Sequence, residues 1–134
     1  WIAGARREDG QGAEGTEGLF RAGFRREPFA HGNTTLAAVA TADILSRDEL
    51  ITVARMAHGA LSRAIRPVHT PMDGDLIVAL STGLTGRKGN VMQIAILGTR
   101  ALERAIVDAV RSASGTPDVP SARELSGREG EGRD

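Results

Sequence analysis

Gly32-Asn33-Thr34-Thr35-Leu36-Ala37-Ala38-Val39-Ala40-Thr41 is the stretch on which the reading of this chain turns. A short polar loop ends at Asn33, and an apolar run begins within two residues of it. Packing alone is a poor reason for a threonine at the mouth of a buried strand behind Gly-Asn. Cleavage of the Asn33–Thr34 bond is a better one, because Thr34 then becomes an N-terminus. Such a threonine carries its own base: a free α-amine, with an ordinary pKa of about 7.7–8.0, can accept the hydroxyl proton directly or through water. The tripeptide Asn-Thr-Thr is also ordinary turn chemistry leading into a strand, and by itself that is the commoner reading. The segments on either side decide between them.

Downstream, Thr34 to Ala42 reads as a strand, apolar enough to be covered on both faces, and Asp43 ends it. Ser46 followed by Glu49 is a capping box that opens a helix. Leu50, Val53, Ala54, Ala57, Leu61, Ala64 and Ile65 recur along that helix at helical spacing, and Pro67 closes it by excluding Arg66 from helical geometry. Val68 to Asp75 is a turn, and Leu76 to Leu80 a second buried strand. The loop Gly83 to Asn90 is glycine-rich and basic, but its spacing fits no phosphate-binding pattern, so a solvated turn is expected. Asn90 caps a last helix to about Ala113, in which Gly98 is expected to kink or split the stripe.

Upstream, residues 1–32 read as a linker, with Gly10, Gly12, Gly15 and Gly18 set among Glu, Arg and Gln. Phe20, Phe24 and Phe29 then alternate with arginines, as in a short arm. Residues 114–134 turn to Pro, Gly, Ser, Glu and Arg, and disorder is expected there. Residues 33–113 are left as the folded part. Two buried strands and two one-faced helices do not close a core, so more sheet must come from elsewhere.

Composition narrows the function. The chain has 134 residues, 40% of them apolar, with three Phe, one Trp and no Tyr, so Ala, Val, Ile and Leu must build its core. Seventeen basic residues balance seventeen acidic ones, which argues against a nucleic-acid or polyanion partner. Without cysteine there is no disulfide, thiolate metal site or Cys nucleophile. His31, His58 and His69 are scattered, and neither a metal nor a cofactor is expected. No apolar run is long enough to span a bilayer, and no signal-peptide pattern is visible. The compartment stays open, with the cytoplasm preferred. An opening Trp1 in place of Met suggests the downstream part of a longer precursor.

Two carboxylates flank a glycine at Asp73-Gly74-Asp75, directly before the second strand. Asp-Gly is ordinary in a turn, and Asp73 can serve the turn alone. A further Asp at a strand mouth is costly unless it meets a donor or a cation. If the two strands lie side by side, the ammonium of a freed Thr34 is such a cation, and the carboxylates would hold it and tune its pKa.

With these residues in view, the chain resembles the DmpA-type peptidases, a family that includes L-aminopeptidase/D-esterases, β-peptidyl aminopeptidases and nylon-oligomer hydrolases. Asn33 to Thr41 is similar to the family's autocleavage and nucleophile segment. Val53-Ala54-Arg55-Met56-Ala57-His58, Leu61 to Thr70 and Asp73-Gly74-Asp75 follow in the family's order. The resemblance covers about Gly32 to Val110, and the nylon-oligomer branch fits best because the nucleophile is Thr, not Ser.

The resemblance implies an α/β fold that is part of an αββα sandwich, to which this chain contributes two buried strands and two helices. It implies cleavage of a precursor into an α part ending at Asn33 and a β part beginning at Thr34, and assembly into homo-oligomers. It assigns Thr34 as nucleophile, Asp73 and Asp75 as the carboxylates beside it, and a peptide or small amide as substrate. It also places a catalytic lysine and an oxyanion-supporting asparagine in an α part that this chain lacks. Lys88, the only lysine, stands in the wrong segment to replace the first. The rival readings are an acyltransferase of the ornithine-acetyltransferase type, which also uses an autogenerated Thr, and an inactive chain that serves only as an assembly subunit.

Overall fold

The computed structural model describes residues 5–6, 13–23, 34–71 and 73–128. The chain divides into two compact units, Pro28–Ala105 and the union of Trp1–Glu27 with Ile106–Asp134. In chain order the elements are β1 (Ala5–Arg6), β2 (Ala13–Glu14), α1 (Thr16–Arg21), β3 (Leu36–Thr41), α2 (Arg47–Ala64), β4 (Leu76–Ser81), α3 (Val91–Ser112) and α4 (Ala122–Arg128).

The unit Pro28–Ala105 is built on a β3–α2–β4 crossover. Strands β3 and β4 pair in parallel, in a register running from Leu36 opposite Leu76 to Thr41 opposite Ser81. Parallel pairing requires a long connection, and the eighteen-residue helix α2 supplies it. This helix starts where its sequence says. The Ser46 side chain accepts from Glu49 N–H while the Glu49 carboxylate accepts from Ser46 N–H at 2.8 Å, so two of the end's free donors are satisfied reciprocally. Those bonds hold the Glu49 carboxyl below its usual range. Val53, Ala57, Ala60 and Leu61 form the buried stripe of α2 and lie on the same side of the sheet as Val39 and Ile77.

Helix α3 joins α2 on that side. A side-chain carbon added to Gly98 would stand 2.7 Å from Val39 Cγ1, so the glycine marks the place where α3 comes closest to β3. The helix runs unbroken through Gly98 and does not split there. Close approach is the physical reason for a residue that costs about 1 kcal/mol in a helix interior relative to Ala. Asn90 caps α3 as its position suggests, its Oδ1 accepting from Gln93 N–H at 3.0 Å.

Within this chain the strand pair is covered on one face only. Leu36, Ala38 and Ala40 of β3 and Leu76, Val78 and Leu80 of β4 share the opposite face of the sheet and are exposed, Leu36 to 73%. Both helices cover one face of the pair, so this unit is a helix layer on a two-stranded sheet whose other face is bare. The architecture is mixed α/β.

The carboxyl ends of the strands are tied by a polar mesh. Ser81 Oγ donates to the Asp43 carbonyl at 2.6 Å and accepts from Leu45 N–H. Arg87 reaches both oxygens of Asp43, and Thr85 Oγ1 donates to one of them. Thr85 first and Arg87 second hold the Asp43 carboxyl below the usual carboxylate range. The glycine-rich loop is the solvated turn expected of it, its residues 84–88 exposed, and it is pinned to Asp43 through Thr85 and Arg87.

The described residues of the other unit include short elements within the ranges 1–32 and 114–134. β1 and β2 pair antiparallel, and α1 follows directly. Near the other end, Ser121 N–H donates to Glu124 Oε2 at 2.8 Å and Glu124 N–H donates to Ser121 Oγ, a reciprocal pair that starts α4. Ser-Ala-Arg-Glu carries the capping pattern in plain sight, inside a stretch whose overall composition points to disorder. Arg123 donates to the Arg111 carbonyl at 2.8 Å and holds α4 against the end of α3.

Candidate active site

Because β3 and β4 run in parallel, their amino ends stand at one edge of the sheet, and the sequence places its chemistry there. Leu76 N–H donates to the Thr35 carbonyl at 2.9 Å, which continues the strand ladder to the residue after Thr34. Asp75 answers from the other side: its Oδ1 accepts from Thr35 N–H at 3.0 Å. Thr34 and Asp75 are therefore brought together, as the side-by-side arrangement of strands requires. Thr34 is exposed, whereas the Asp75 side chain is only 7% exposed. Asn33 and His31 lie outside the described residues.

Asp73 takes the other role open to it. Its Oδ2 accepts from Thr70 N–H at 2.7 Å while its own N–H donates to the Thr70 carbonyl at 3.0 Å. These two bonds close the turn before β4 and occupy the carboxylate with backbone.

Gly74 is a site residue that the sequence reading passed over. A Cβ built on it would stand 2.9 Å from Thr34 Oγ1, so the missing side chain is what lets the turn lie against the threonine hydroxyl. A glycine locked between two aspartates was the available signal, since close backbone approach is a standard reason for Gly.

Asp75 Oδ2 is buried and has no hydrogen-bond partner among the described residues. His69 Nδ1 lies 3.2 Å from it. That separation is within ion-pair range, but the contact is misaligned for a hydrogen bond, so the oxygen counts as unpaired. An orphaned carboxylate oxygen in such a place costs about 1–3 kcal/mol, or more when charged. Among the described residues, no group of three or more His, Asp or Glu stands where it could hold one metal ion.

Lys88 is remote from all of this. Its backbone bridges to Ile44 beyond the carboxyl ends of the strands. Six strand residues at about 3.3 Å each separate that level from Thr34, roughly 20 Å.

A threonine and a buried carboxylate thus stand at one strand mouth, on a helix-backed parallel pair. The chain is a member of peptidase family S58, the DmpA family, whose family model matches residues 4–124. It is 32% identical to an uncharacterized aminopeptidase of Mycobacterium leprae, over 75% of this chain and 32% of that protein. It is 31% identical to an uncharacterized aminopeptidase of Mycobacterium tuberculosis, over 69% of this chain and 31% of the relative. A 6-aminohexanoate-oligomer endohydrolase of Kocuria is 43% identical over 51 residues, which take in 38% of this chain and 14% of that enzyme. The chain thus spans about a third of the length of the mycobacterial relatives it matches.

Proposed function

We propose that this chain is the nucleophile-bearing part of an autoprocessed amide hydrolase acting on peptides or small oligoamides. The observation that carries the reading is the exposed Thr34 hydroxyl packed on Gly74, one residue from the backbone N–H that Asp75 holds. In processing, Thr34 Oγ attacks the Asn33 carbonyl carbon and gives up its proton. The Asn33–Thr34 C–N bond breaks as the nitrogen takes a proton, and an ester remains. Water hydrolyses that ester to an Asn33 carboxylate and a Thr34 with a free α-amine.

Turnover reuses the same atom. The Thr34 α-amine accepts the hydroxyl proton, Oγ attacks the substrate amide carbon, and the proton passes to the leaving amine. Water then hydrolyses the acyl-threonine ester. Asp75 faces the new ammonium and keeps the amine oriented towards Oγ. The aminopeptidase and oligomer endohydrolase names among the relatives support hydrolysis over acyl transfer to an amine. Oxyanion donors and a lysine would come from the α part, on the same sheet as β3 and β4 in an αββα sandwich and in a homo-oligomer.

Intact-mass analysis of the precursor tests this directly. Two fragments whose sequences meet at Asn33 and Thr34 are expected, together with release of amine from a peptide or oligoamide. A precursor that stays uncut and inert would leave the assembly-subunit reading in its place. Transfer of the acyl group to an amine in preference to water would favour the acyltransferase.

Two substitutions probe the site's parts. Asp75→Asn keeps an oxygen to accept Thr35 N–H and removes the charge. It should leave the protein folded, with its melting temperature lowered by only a few degrees, while lowering kcat by about 100-fold, as loss of a site's charge stabilisation does. Near-normal turnover of the cleaved variant would reject a catalytic part for Asp75. Gly74→Ala places a methyl carbon 2.9 Å from Thr34 Oγ1, too close for the hydroxyl to stay where it is. The threonine can rotate away at small cost in stability, but its hydroxyl then leaves the position it needs. Processing slowed by about tenfold or more is expected on a gel time course, with the melting temperature little altered.

A further inference from the structure

His58, His69 and the unpaired oxygen of Asp75 form one contiguous set beside Thr34, and the reaction as written uses neither imidazole. We infer that His69 is a positioning residue: its Nδ1–H anchors Asp75 Oδ2, and so fixes the carboxylate whose other oxygen holds the start of β3. This rests on the reading of Thr34 and Asp75 given above and adds a residue to it.

Three observations converge on His69. Its Nδ1 stands 3.2 Å from Oδ2, an oxygen that is buried and has no hydrogen bond among the described residues. His69 is also the only non-glycine residue at positive φ among the described residues, at 56°. Non-glycine residues are uncommon in that region, and His is among the few enriched there. The imidazole is backed by a second ring, His58 on α2, with centroids 5.3 Å apart and planes tilted by 50°. Thus His69 is braced from the helix side and directed at the carboxylate from the turn.

The chemistry fits the geometry. A carboxylate has about four lone-pair positions and accepts only. Thr35 N–H takes one on Oδ1 and Nδ1–H would take one on Oδ2, which leaves positions for the Thr34 amine. A small rotation of the ring aligns the donor with the oxygen, and hydrogen bonds at catalytic sites commonly stand long or misaligned before substrate is bound. Without that anchor Asp75 is held by Thr35 N–H alone and can swing about it, carrying its charge away from Thr34.

The test separates the donor from the backbone. Asn has its amide nitrogen near the place of the His Nδ1 and tolerates positive φ; Gly tolerates positive φ best and has no donor. In the full precursor, His69→Gly is expected to lower kcat by about tenfold or more with KM changed less than about twofold, and His69→Asn to recover kcat to within about threefold. A His69→Gly enzyme as active as His69→Asn would show that only the turn matters, and would overturn the inference. Thermal unfolding of His69→Gly, Asp75→Asn and the double variant is the second measurement. The two melting-temperature shifts should fail to add by about 2 °C or more, since contacting groups couple. Additive shifts would also overturn it. That cycle does not depend on Thr34: should Thr34→Ala still be cleaved and active, the reaction assigned above fails, while the cycle still decides whether His69 holds Asp75.

Discussion

A precursor carrying Thr34→Ala is expected to remain one chain on a denaturing gel and to release no amine from any amide substrate. The reason is atomic. The proposed acyl shift needs an oxygen at Cβ of the residue after the scissile bond, and an alanine in that place has none. Its α-amine would stay locked in the peptide, so the base for later turnover would never form. Thr34→Ser restores the oxygen and should restore both cleavage and hydrolysis. Because Thr34 is exposed and contributes nothing to the buried core, neither variant should unfold the protein. The expected contrast is a loss of rate beyond the detection limit with little change in melting temperature. Two bands from the alanine variant would sink the assignment of Thr34.

The 134-residue chain purified by itself should self-associate and hydrolyse no amide. Its sheet has one helix-covered face and one bare face, and on the bare face Leu36, Leu76, Val78 and Leu80 are 73%, 54%, 46% and 41% exposed. Exposed apolar surface that runs unbroken across two paired strands marks an interaction site or an aggregation liability. The outer edges of the pair add unpaired backbone donors and acceptors, the usual template for strand addition. In the proposed assembly, an α part that extends this sheet would cover both and would bring the lysine and asparagine that the family resemblance implies. Light scattering should show mass well above one chain, and adding the α part should restore a defined assembly and turnover together. A monodisperse monomer that hydrolyses a peptide would refute the prediction.

These expectations draw on two kinds of information, and the boundary between them can be followed residue by residue. Local rules were enough for α2, since the capping box of Ser46 and Glu49 and the spacing of Val53, Ala57 and Leu61 are short-range signals. They left the pairing of the two strands as a condition, under which Thr34 and the aspartates meet at one end; the parallel register is what the structure adds. They were not enough for burial. An apolar strand such as Leu36–Thr41 looks the same whether its second face meets helices, another sheet or water, because the pattern records what the residues require and not what is present.

Position in space settled the rest. Gly98 reads as a helix breaker until Val39 is placed opposite it, and Gly74 reads as a turn residue until Thr34 Oγ1 is found against it. Arg87 reads as a free cation until Asp43, forty-four residues away, closes on it. His69 reads as a turn histidine until its ring is seen between His58 and Asp75. In each case the deciding partner is distant along the chain, and no local preference encodes a distance of that kind. The sequence put Thr34, Asp73 and Asp75 forward as candidates; the parallel strands made neighbours of Thr34 and Asp75, and the Thr70 backbone drew Asp73 into the turn.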